Sequence, residues 1–271
     1  MTKIGLLGDT HGNRAWLRFA LWNFHHHGID RIVQLGDFGI WPGQESARTM
    51  KTVRLLAERF GQTLYVIPGN HEDYDQINAV EVSDDGWQYF RKNILLAPRG
   101  HRWAWEDTSF VALGGAPSVD RSWRLQQKSP KSWWEEEAIT QKDVNSVIAG
   151  GYADVMLTHD APGCQSIMDR IKGNPQGFKQ EDLEYAAEGR KLMERAFQGV
   201  APKILIHGHY HFPVLDKLTV IRDRGREEAL ILGLDCDQAA RSMGSLDTET
   251  GSADLWDVRE DYQRYLSSGT L

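Results

Sequence analysis

The chain has 271 residues and a mass of 30.8 kDa, a size that allows one large domain or two small ones. Hydrophobic residues make up 41% and charged residues 25%, which excludes a disordered, collagenous or coiled-coil protein. Lysine and arginine total 31 against 38 aspartates and glutamates, and the resulting net charge of −7 disfavours a nucleic-acid polymer as partner without excluding it.

The sequence carries no sign of a membrane segment. No stretch reaches the roughly 18–20 consecutive apolar residues of a membrane span, and the first residues lack the apolar region of a signal peptide. We therefore expect a cytoplasmic protein without membrane association. Cys164 and Cys236 belong to no CxxC pair, and we interpret them as buried thiols. The composition does not indicate the oligomeric state.

The first hundred residues repeat one pattern: a short apolar run ends in glycine or a polar residue, and a helical periodicity follows. The apolar runs are residues 4–7, 32–35 and 64–67. Apolar residues recur at helical spacing between residues 15 and 22 and between residues 53 and 60. This alternation predicts parallel strands joined by helical crossovers, an α/β architecture in which ligands bind beyond the carboxyl ends of the strands.

The spacing shortens from about residue 94. Apolar runs at residues 94–96, 102–105 and 110–113 are separated by turn-sized gaps and predict antiparallel strands. Residues 115–137 carry several tryptophans and little periodicity, which predicts a long surface loop near a site. Residues 165–182 are polar and contain glycine and proline, which is typical of a second loop.

The remaining sequence returns to strands and helices. Apolar runs at residues 155–157 and 204–206 again end in polar residues, and residues 183–197 predict an amphipathic helix. Short strand patterns follow at residues 219–221, 230–234 and 253–258. The sequence shows no internal repeat, low-complexity tract or linker, so we expect residues 1–271 to form a single α/β domain.

Carboxylate, imidazole and amide side chains follow the ends of the predicted strands. They are Asp9, His11, Asp37, Asn70, His71, His159, His209 and His211. Strands of one sheet deliver such residues to the same edge, so side chains far apart in sequence can converge. Oxygen and nitrogen donors without a thiolate favour manganese, iron, zinc or cobalt over calcium or magnesium. Because the candidates are too many for one ion, we expect two ions about 3.5–4 Å apart, bridged by Asp37.

These residues lie in five blocks: GDTHG (8–12), GDF (36–38), GNHE (69–72), THD (158–160) and GHYH (208–211). In that order the chain resembles the calcineurin-like metallophosphoesterases over roughly residues 3–215. The resemblance implies a four-layer α/β/β/α sandwich of two mixed sheets flanked by helices. It also implies that Asp9, His11 and His211 bind one ion, that Asn70, His159 and His209 bind the other, that Asp37 bridges them and that His71 faces the substrate.

The resemblance implies a hydrolase for phosphoric esters. Two divalent transition-metal ions, manganese in first place and iron, zinc, cobalt or nickel as alternatives, would lower the pKa of bound water from about 15.7 to about 7 and supply a hydroxide nucleophile. A general acid such as His71 would contribute about 10²–10⁴-fold. Metal ions therefore account for most of the expected catalysis.

The second block limits how far the resemblance extends. Protein phosphatases of the family continue it as GDxxDRG, whereas this chain has GDFGIWPG, with Ile40 in place of the second aspartate. The carboxylate partner of His71 and an arginine that clamps phosphate are thus missing. We interpret the protein as a phosphodiesterase for small nucleotides, among them cyclic nucleotides. The alternatives are a phosphomonoesterase or protein phosphatase, a dinucleoside polyphosphate hydrolase, a nuclease, and a non-catalytic scaffold.

Further residues are candidates for contacts around the metal ions. Asn13 and Arg14 stand at a helix N-terminus, which favours anions, so both are candidate phosphate contacts. His207 would either reach the substrate or only form a hydrogen bond within the protein. The arginines and tryptophans of residues 115–137 would either stack on a base or pack in the core. Glu72 and Asp160 adjoin ligands and would either orient imidazoles or act as caps.

Overall fold

The protein is described by a computed structural model that covers residues 2–127, 130–223 and 225–269. Its first part alternates strands and helices. In chain order the elements are β1 (Lys3–Leu7), α1 (Arg14–His26), β2 (Arg31–Gln34), α2 (Gln44–Phe60), β3 (Thr63–Val66), α3 (Tyr74–Asn78), β4 (Gln88–Arg91) and β5 (Ile94–Leu96). Strands β1, β2, β3 and β5 pair in parallel, and β4 pairs antiparallel with β5.

The second part of the chain builds a second sheet. Its elements are β6 (Arg102–Trp105), β7 (Thr108–Leu113), α4 (Arg121–Arg124), the 3₁₀ turn Glu135–Glu137, α5 (Gln141–Ala149), β8 (Val155–Thr158), α6 (Gln165–Ile171), α7 (Gln180–Val200), β9 (Ile204–His207), β10 (Val214–Arg222) and β11 (Gly225–Gly233). Strands β7, β8, β9 and β11 pair in parallel, with antiparallel β6 and β10 at the two edges.

The last elements return to the first sheet. They are β12 (Met243–Asp247), β13 (Ala253–Leu255) and α8 (Arg259–Ser267). Strand β12 pairs antiparallel with β1, so the order of the seven-stranded sheet is β13-β12-β1-β2-β3-β5-β4. The six-stranded sheet has the order β10-β11-β9-β8-β7-β6.

Three apolar cores separate the layers of the fold. Alternate residues of a strand point to opposite faces of its sheet. In β1, Ile4 and Leu6 therefore face the second sheet and meet residues such as Phe110 and Ile206, whereas Leu7 packs under the helices. One core lies between the first sheet and α1, α2 and α8, and another lies between the second sheet and α5, α6 and α7. The expected four-layer α/β/β/α sandwich of two mixed sheets is thereby confirmed.

Some predicted elements differ from the structure. Residues 94–96 do not continue into the antiparallel pair β6 and β7, because β5 lies parallel to β3 in the other sheet. The predicted loop 115–137 contains α4 and a 3₁₀ turn, and its buried Arg124 and Glu137 pair with each other. Residues 128 and 129 of that loop lie outside the described residues. The predicted loop 165–182 begins with α6, a short helix that buries Ile167.

The helix expected over residues 183–197 is present as α7 and extends three residues further at each end. None of the helices in the described ranges is long and apolar enough to cross a membrane.

Candidate metal centre

The polar residues predicted at strand ends lie together at one edge of the sandwich. Asp9 and His11 follow β1, Asp37 follows β2, and Asn70 follows β3. From the second sheet, His159 follows β8, and His209 and His211 follow β9. The sheets face each other across a shared core, so their strand ends deliver these side chains to a common cleft.

One group of ligand atoms is compact enough for a single metal ion. Asp9, His11, Asp37 and His211 each offer an atom, and these atoms lie within 4.8 Å of one another. Nε2 of His211 is 3.1 Å from Oδ2 of Asp9, and Nε2 of His11 is 3.9 Å from Oδ2 of Asp37. Two carboxylates and two imidazoles therefore point at one small volume.

A second group lies on the other side of Asp37. Nε2 of His159 is 2.8 Å from Oδ1 of Asn70 and 3.4 Å from Oδ1 of Asp37. The ring of His209 lies 4.9 Å from that of His159, measured between centroids. Nδ1 of His159 donates to the backbone carbonyl of Leu35 at 2.7 Å, so Nε2 is the ring nitrogen that faces Asn70 and Asp37 and is available to a metal ion.

The backbone holds several of these residues in an unusual conformation. His11, Asp37, His209 and His211 have φ angles between 45° and 69°, in the left-handed region that non-glycine residues rarely adopt. They are four of the eight non-glycine residues with positive φ in the described ranges. Backbone strain of this kind clusters at functional sites, where the surrounding structure enforces it.

Close packing of the turns requires glycine beside the ligands. A Cβ on Gly36 would lie 2.2 Å from Nδ1 of His159, and a Cβ on Gly208 would lie 2.1 Å from Oδ1 of Asp9. Both distances are far below van der Waals contact. The glycines of the second and fifth blocks therefore let the turns from two sheets approach closely enough for their ligands to meet.

The charges of the cleft favour metal binding. Burial alone would raise the pKa of Asp37, but the charges of His159, His71 and His11 hold it well below its usual range, so Asp37 is ionised. Burial drives the pKa of His209 well below 6.5, which leaves its ring neutral. Burial also opposes the charge on His11, but its hydrogen bond with Asp237 and the charges of Asp37 and Asp9 raise its pKa to about 9. A metal ion must displace that proton, so affinity falls as the pH decreases.

Glu72 supports the turn that carries Asp37. Its buried carboxylate accepts hydrogen bonds from the backbone N–H groups of Phe38, Gly39 and Ile40, at 2.6, 3.3 and 2.9 Å. Asp160 accepts from the hydroxyl of Tyr210 at 2.8 Å. The described hydrogen bonds of Glu72 and Asp160 are therefore with backbone N–H groups and a tyrosine hydroxyl. They do not support the alternative that these two acids orient the imidazoles of metal ligands.

His71 and Trp41 lie beside the cleft. The backbone N–H of His71 donates to Oδ1 of Asp37 at 2.8 Å, and the backbone carbonyl of His71 accepts from Nε1 of Trp41 at 2.7 Å. The indole also lies over Gly12, because a Cβ on that glycine would be 3.4 Å from Cζ3 of Trp41. Trp41 is 38% exposed, so part of its indole is accessible beside Gly12 and the backbone of His71.

The three predicted substrate contacts occupy different environments. Asn13 caps α1 by accepting from the N–H of Trp16, and its amide donates to Asp237. Arg14 is exposed and its guanidinium lies 3.8 Å from Glu45. His207 is fully buried, with Nδ1 hydrogen-bonded to the carbonyl of Gly208, so direct contact with a substrate would require a rearrangement.

Sequence reasoning missed a buried network that holds Asn70. Nδ2 of Asn70 donates to Oγ of Ser118 at 2.7 Å, and that hydroxyl donates to Oε2 of Glu137 at 2.8 Å. Arg124 donates to Ser118, to Glu137 and to the carbonyl of Asn70. Because these residues come from the aperiodic segment 115–137, no spacing signal in the sequence marks them.

Asp237 was missed as well. It lies between β11 and β12, and Oδ1 is 2.9 Å from Nδ1 of His11. It follows the last predicted ligand, His211, by 26 positions, and no motif connects the two residues.

The donors at this edge fit divalent transition-metal ions. The compact group of Asp9, His11, Asp37 and His211 offers carboxylate oxygens and imidazole nitrogens, a mixture that suits ions of intermediate hardness. Asp9 and Asp37 are almost fully buried, and buried carboxylates at such separations need cations to balance their charge. The arrangement is therefore suited to Lewis-acid catalysis on an anionic substrate.

Comparison with known proteins identifies the family. A family model for calcineurin-like phosphoesterases matches residues 2–213. No curated protein sequence gives a significant match. A dimetal phosphatase from Danio rerio superposes with a TM-score of 0.50 at 14% identity, covering 90% of this chain and 91% of that chain.

Two other solved structures have lower scores. A Thermus thermophilus protein superposes with a TM-score of 0.49 at 10% identity, covering 95% of this chain and 99% of that one. An archaeal phosphodiesterase superposes with a TM-score of 0.44 at 14% identity, covering 93% and 97% of the two chains. At these identities the structural similarity concerns the fold alone. The family match over most of the chain shows that the protein belongs to the calcineurin-like phosphoesterases, a family of metal-dependent phosphoric ester hydrolases that bind two divalent ions.

Proposed function

We propose that this protein is a two-metal phosphodiesterase that hydrolyses small nucleotides, with cyclic nucleotides as the first candidates. The observation that carries the proposal is the convergence of two ligand groups on either side of Asp37. Its Oδ2 lies 3.9 Å from Nε2 of His11, and its Oδ1 lies 3.4 Å from Nε2 of His159. A carboxylate that faces both groups is suited to bridge two ions.

The proposed ligand set follows from this placement. Asp9, His11 and His211 would bind one ion, Asn70, His159 and His209 the other, and Asp37 both. When bound, two divalent ions, preferably manganese, supply Lewis acidity and a nucleophile that is available at neutral pH. The turns that hold these residues keep the ligand atoms in place before substrate arrives, which reduces the reorganisation needed during the reaction.

His71 is our candidate for the general acid. Burial is the largest influence on its pKa and lowers it, the charge of Arg124 lowers it further, and the charge of Asp37 opposes both. A phosphate anion next to the ring would favour the imidazolium, because an opposite charge stabilises the charged form. His71 could then donate its proton to the leaving oxygen, which is the step that a poor alkoxide leaving group requires.

The cations around the centre favour a diester over a monoester. A diester carries one negative charge at the reacting phosphorus, whereas a monoester carries two near neutral pH. Arg124 is 3% exposed, and its donors are directed to Ser118, Ser132, Glu137 and Asn70. Arg14 is close to Glu45. Arg124 is therefore not available to neutralise a second phosphate charge, whereas Arg14 is exposed and only loosely paired and remains a candidate phosphate contact.

Trp41 favours a substrate that carries a planar group, such as a base, away from the reacting phosphate. It occupies the position at which protein phosphatases of the family have the phosphate-clamping arginine. The indole is fixed, because its Nε1 donates to His71 and its backbone N–H donates to Oγ of Ser46 at 2.9 Å. Stacking of a base on an aromatic side chain contributes about 1–3 kcal/mol. This contact would replace the missing cation with recognition of a base.

The proposal can be tested with purified protein and Mn²⁺. We expect hydrolysis of bis-nitrophenyl phosphate with a higher kcat/KM than nitrophenyl phosphate, and loss of activity in excess EDTA with recovery on adding metal. Full turnover after exhaustive chelation would contradict the two-metal mechanism, and a preference for the monoester would contradict the diester assignment.

A substrate panel tests the finer assignment. We expect 2′,3′- or 3′,5′-cyclic nucleotides to be turned over faster than single-stranded DNA, a phosphopeptide or a dinucleoside polyphosphate. Tenfold better turnover of the DNA would instead indicate a nuclease, and tenfold better turnover of the phosphopeptide would indicate a protein phosphatase.

A further inference from the structure

Asp237 lies in a loop that packs against the metal centre. The loop begins where the N–H of Leu234 donates to the carbonyl of His207 and ends where the N–H of Gly8 donates to the carbonyl of Ser242, both at 2.9 Å. A Cβ on Gly8 would lie 2.1 Å from the carbonyl oxygen of Asp235. The loop is therefore held by β1 and β9, the two strands that precede Asp9 and His209.

Both carboxylate oxygens of Asp237 contact the turn that follows β1. Oδ1 lies 2.9 Å from Nδ1 of His11, and Oδ2 accepts from Nδ2 of Asn13 at 2.7 Å. The side chain of Asp237 is only 13% exposed. A carboxylate can only accept here, so the proton of a neutral His11 is on Nδ1 and its lone pair is on Nε2.

This tautomer is the one that a metal ion requires. Nε2 of His11 belongs to the compact group formed with Asp9, Asp37 and His211. A carboxylate hydrogen-bonded to the far nitrogen of a metal-binding imidazole fixes the orientation of the ring and raises its basicity. We propose that Asp237 is a positioning residue that holds His11 in the orientation and tautomer needed to bind a divalent ion.

The inference rests on the metal centre of the proposed function and goes beyond it. Asp237 lies outside residues 2–213, the segment matched by the family model, so the role is not part of what that match covers. It also accounts for Asn13, whose amide is occupied by Asp237 rather than open to a phosphate.

Asp237→Asn breaks this arrangement with little change of shape. The amide of Asn13 cannot turn without losing its cap on α1, because its Oδ1 accepts from the N–H of Trp16 at 3.1 Å. The new Asn side chain has one acceptor for the three donors that face Asp237, which are Nδ1–H of His11, Nδ2 of Asn13 and Nε2 of Gln238. If its NH₂ group faces His11, the imidazole proton must move to Nε2 and block the metal position.

The test is titration of Mn²⁺ into chelator-treated full-length protein. We expect the wild type to bind two ions and Asp237→Asn to bind one of them about 10–100-fold more weakly, with the other unchanged. Asn13→Ser is the matched control, because serine also caps helices and only the bond from residue 13 to Asp237 is lost. This control should bind both ions like the wild type, and thermal unfolding of the metal-free variants should differ little from that of the wild type.

Three outcomes separate the possibilities. Wild-type affinity for both ions in Asp237→Asn would overturn the inference, as would an equal loss in Asn13→Ser. A wild type that binds no ion would instead contradict the proposed function itself.

If Asp237→Asn does not fold, NMR of the Zn²⁺-loaded wild type with ¹⁵N-labelled histidine decides the question. A slowly exchanging proton on Nδ1 of His11 is expected, and a proton on Nε2 would overturn the inference.

Discussion

Ser118→Ala should weaken the binding of one metal ion although it replaces none of the proposed ligands. The hydroxyl of Ser118 accepts from Nδ2 of Asn70 at 2.7 Å, and this bond turns Oδ1 of Asn70 towards His159, 2.8 Å away. Alanine removes the acceptor. Without this acceptor, nothing fixes whether Oδ1 or Nδ2 of the Asn70 amide faces His159.

The size of the effect follows from which groups lose a partner. Glu137 and Arg124 still contact each other at 2.9 Å, so only the buried amide of Asn70 is left without its partner. An unsatisfied buried donor costs about 1–3 kcal/mol, which we expect as the decrease in the free energy of unfolding of the metal-free protein. Losing such a supporting contact typically lowers metal affinity about 10–100-fold. At about 1.4 kcal/mol per tenfold, that loss has a similar size.

Two measurements on chelator-treated protein check this prediction. Urea unfolding gives the change in stability, and titration with Mn²⁺ gives the affinity of each ion. Ser122→Ala is the matched control, because it makes the same change in the same segment, where the hydroxyl contacts Glu181 and Asp182 away from the centre. Wild-type binding of both ions by Ser118→Ala, or an equal weakening of one ion in Ser122→Ala, would contradict this prediction.

Three further predictions concern catalysis, specificity and acid stability. Asp37→Ala should lower kcat/KM more than His71→Ala, because Asp37 faces both ligand groups and a general acid contributes only about 10²–10⁴-fold. Trp41→Leu should lower kcat/KM for a cyclic nucleotide about tenfold through lost stacking, whereas Trp41→Phe should retain most of it. Asp154→Asn should lower the free energy of unfolding at neutral pH but not in strong acid. Burial raises the pKa of Asp154, but hydrogen bonds from Ser109, Lys203 and Tyr152 hold it well below its usual range. Its contribution is therefore present above the unfolded pKa of about 3.9 and lost as the pH falls through the folded value.

Each of these predictions has an outcome that contradicts it. A larger loss in His71→Ala than in Asp37→Ala, with two ions still bound to the former, would reverse the assigned roles. Equal kcat/KM for Trp41→Leu and wild type would remove Trp41 from substrate recognition. For Asp154, urea unfolding gives the difference in the free energy of unfolding between Asp154→Asn and wild type. An equal difference at neutral and acid pH would contradict the linkage.

The family and the candidate ligands could be predicted from the amino-acid sequence, and the four-layer sandwich followed from the resemblance to that family. Strand ends followed by glycine and polar residues are local signals, and the edge of a parallel sheet is where such residues meet. Asp37 and His159 are 122 positions apart in sequence, yet each is marked by the apolar run before it. The order of the five blocks then identified the family, which the match over residues 2–213 confirmed.

The residues that contact those candidate ligands from behind became visible only in the folded structure. Ser118, Arg124, Glu137 and Asp237 lie in segments without periodicity. Ser118 and Arg124 contact Asn70, and Asp237 contacts His11, across long stretches of the chain, whereas Glu137 acts through Ser118 and Arg124. The aperiodic segment 115–137 resembles a surface loop in sequence because its buried Ser118, Arg124 and Glu137 are polar or charged and follow no period. Burial of polar groups is stable only when their partners are in place, and a sequence pattern does not show where those partners lie.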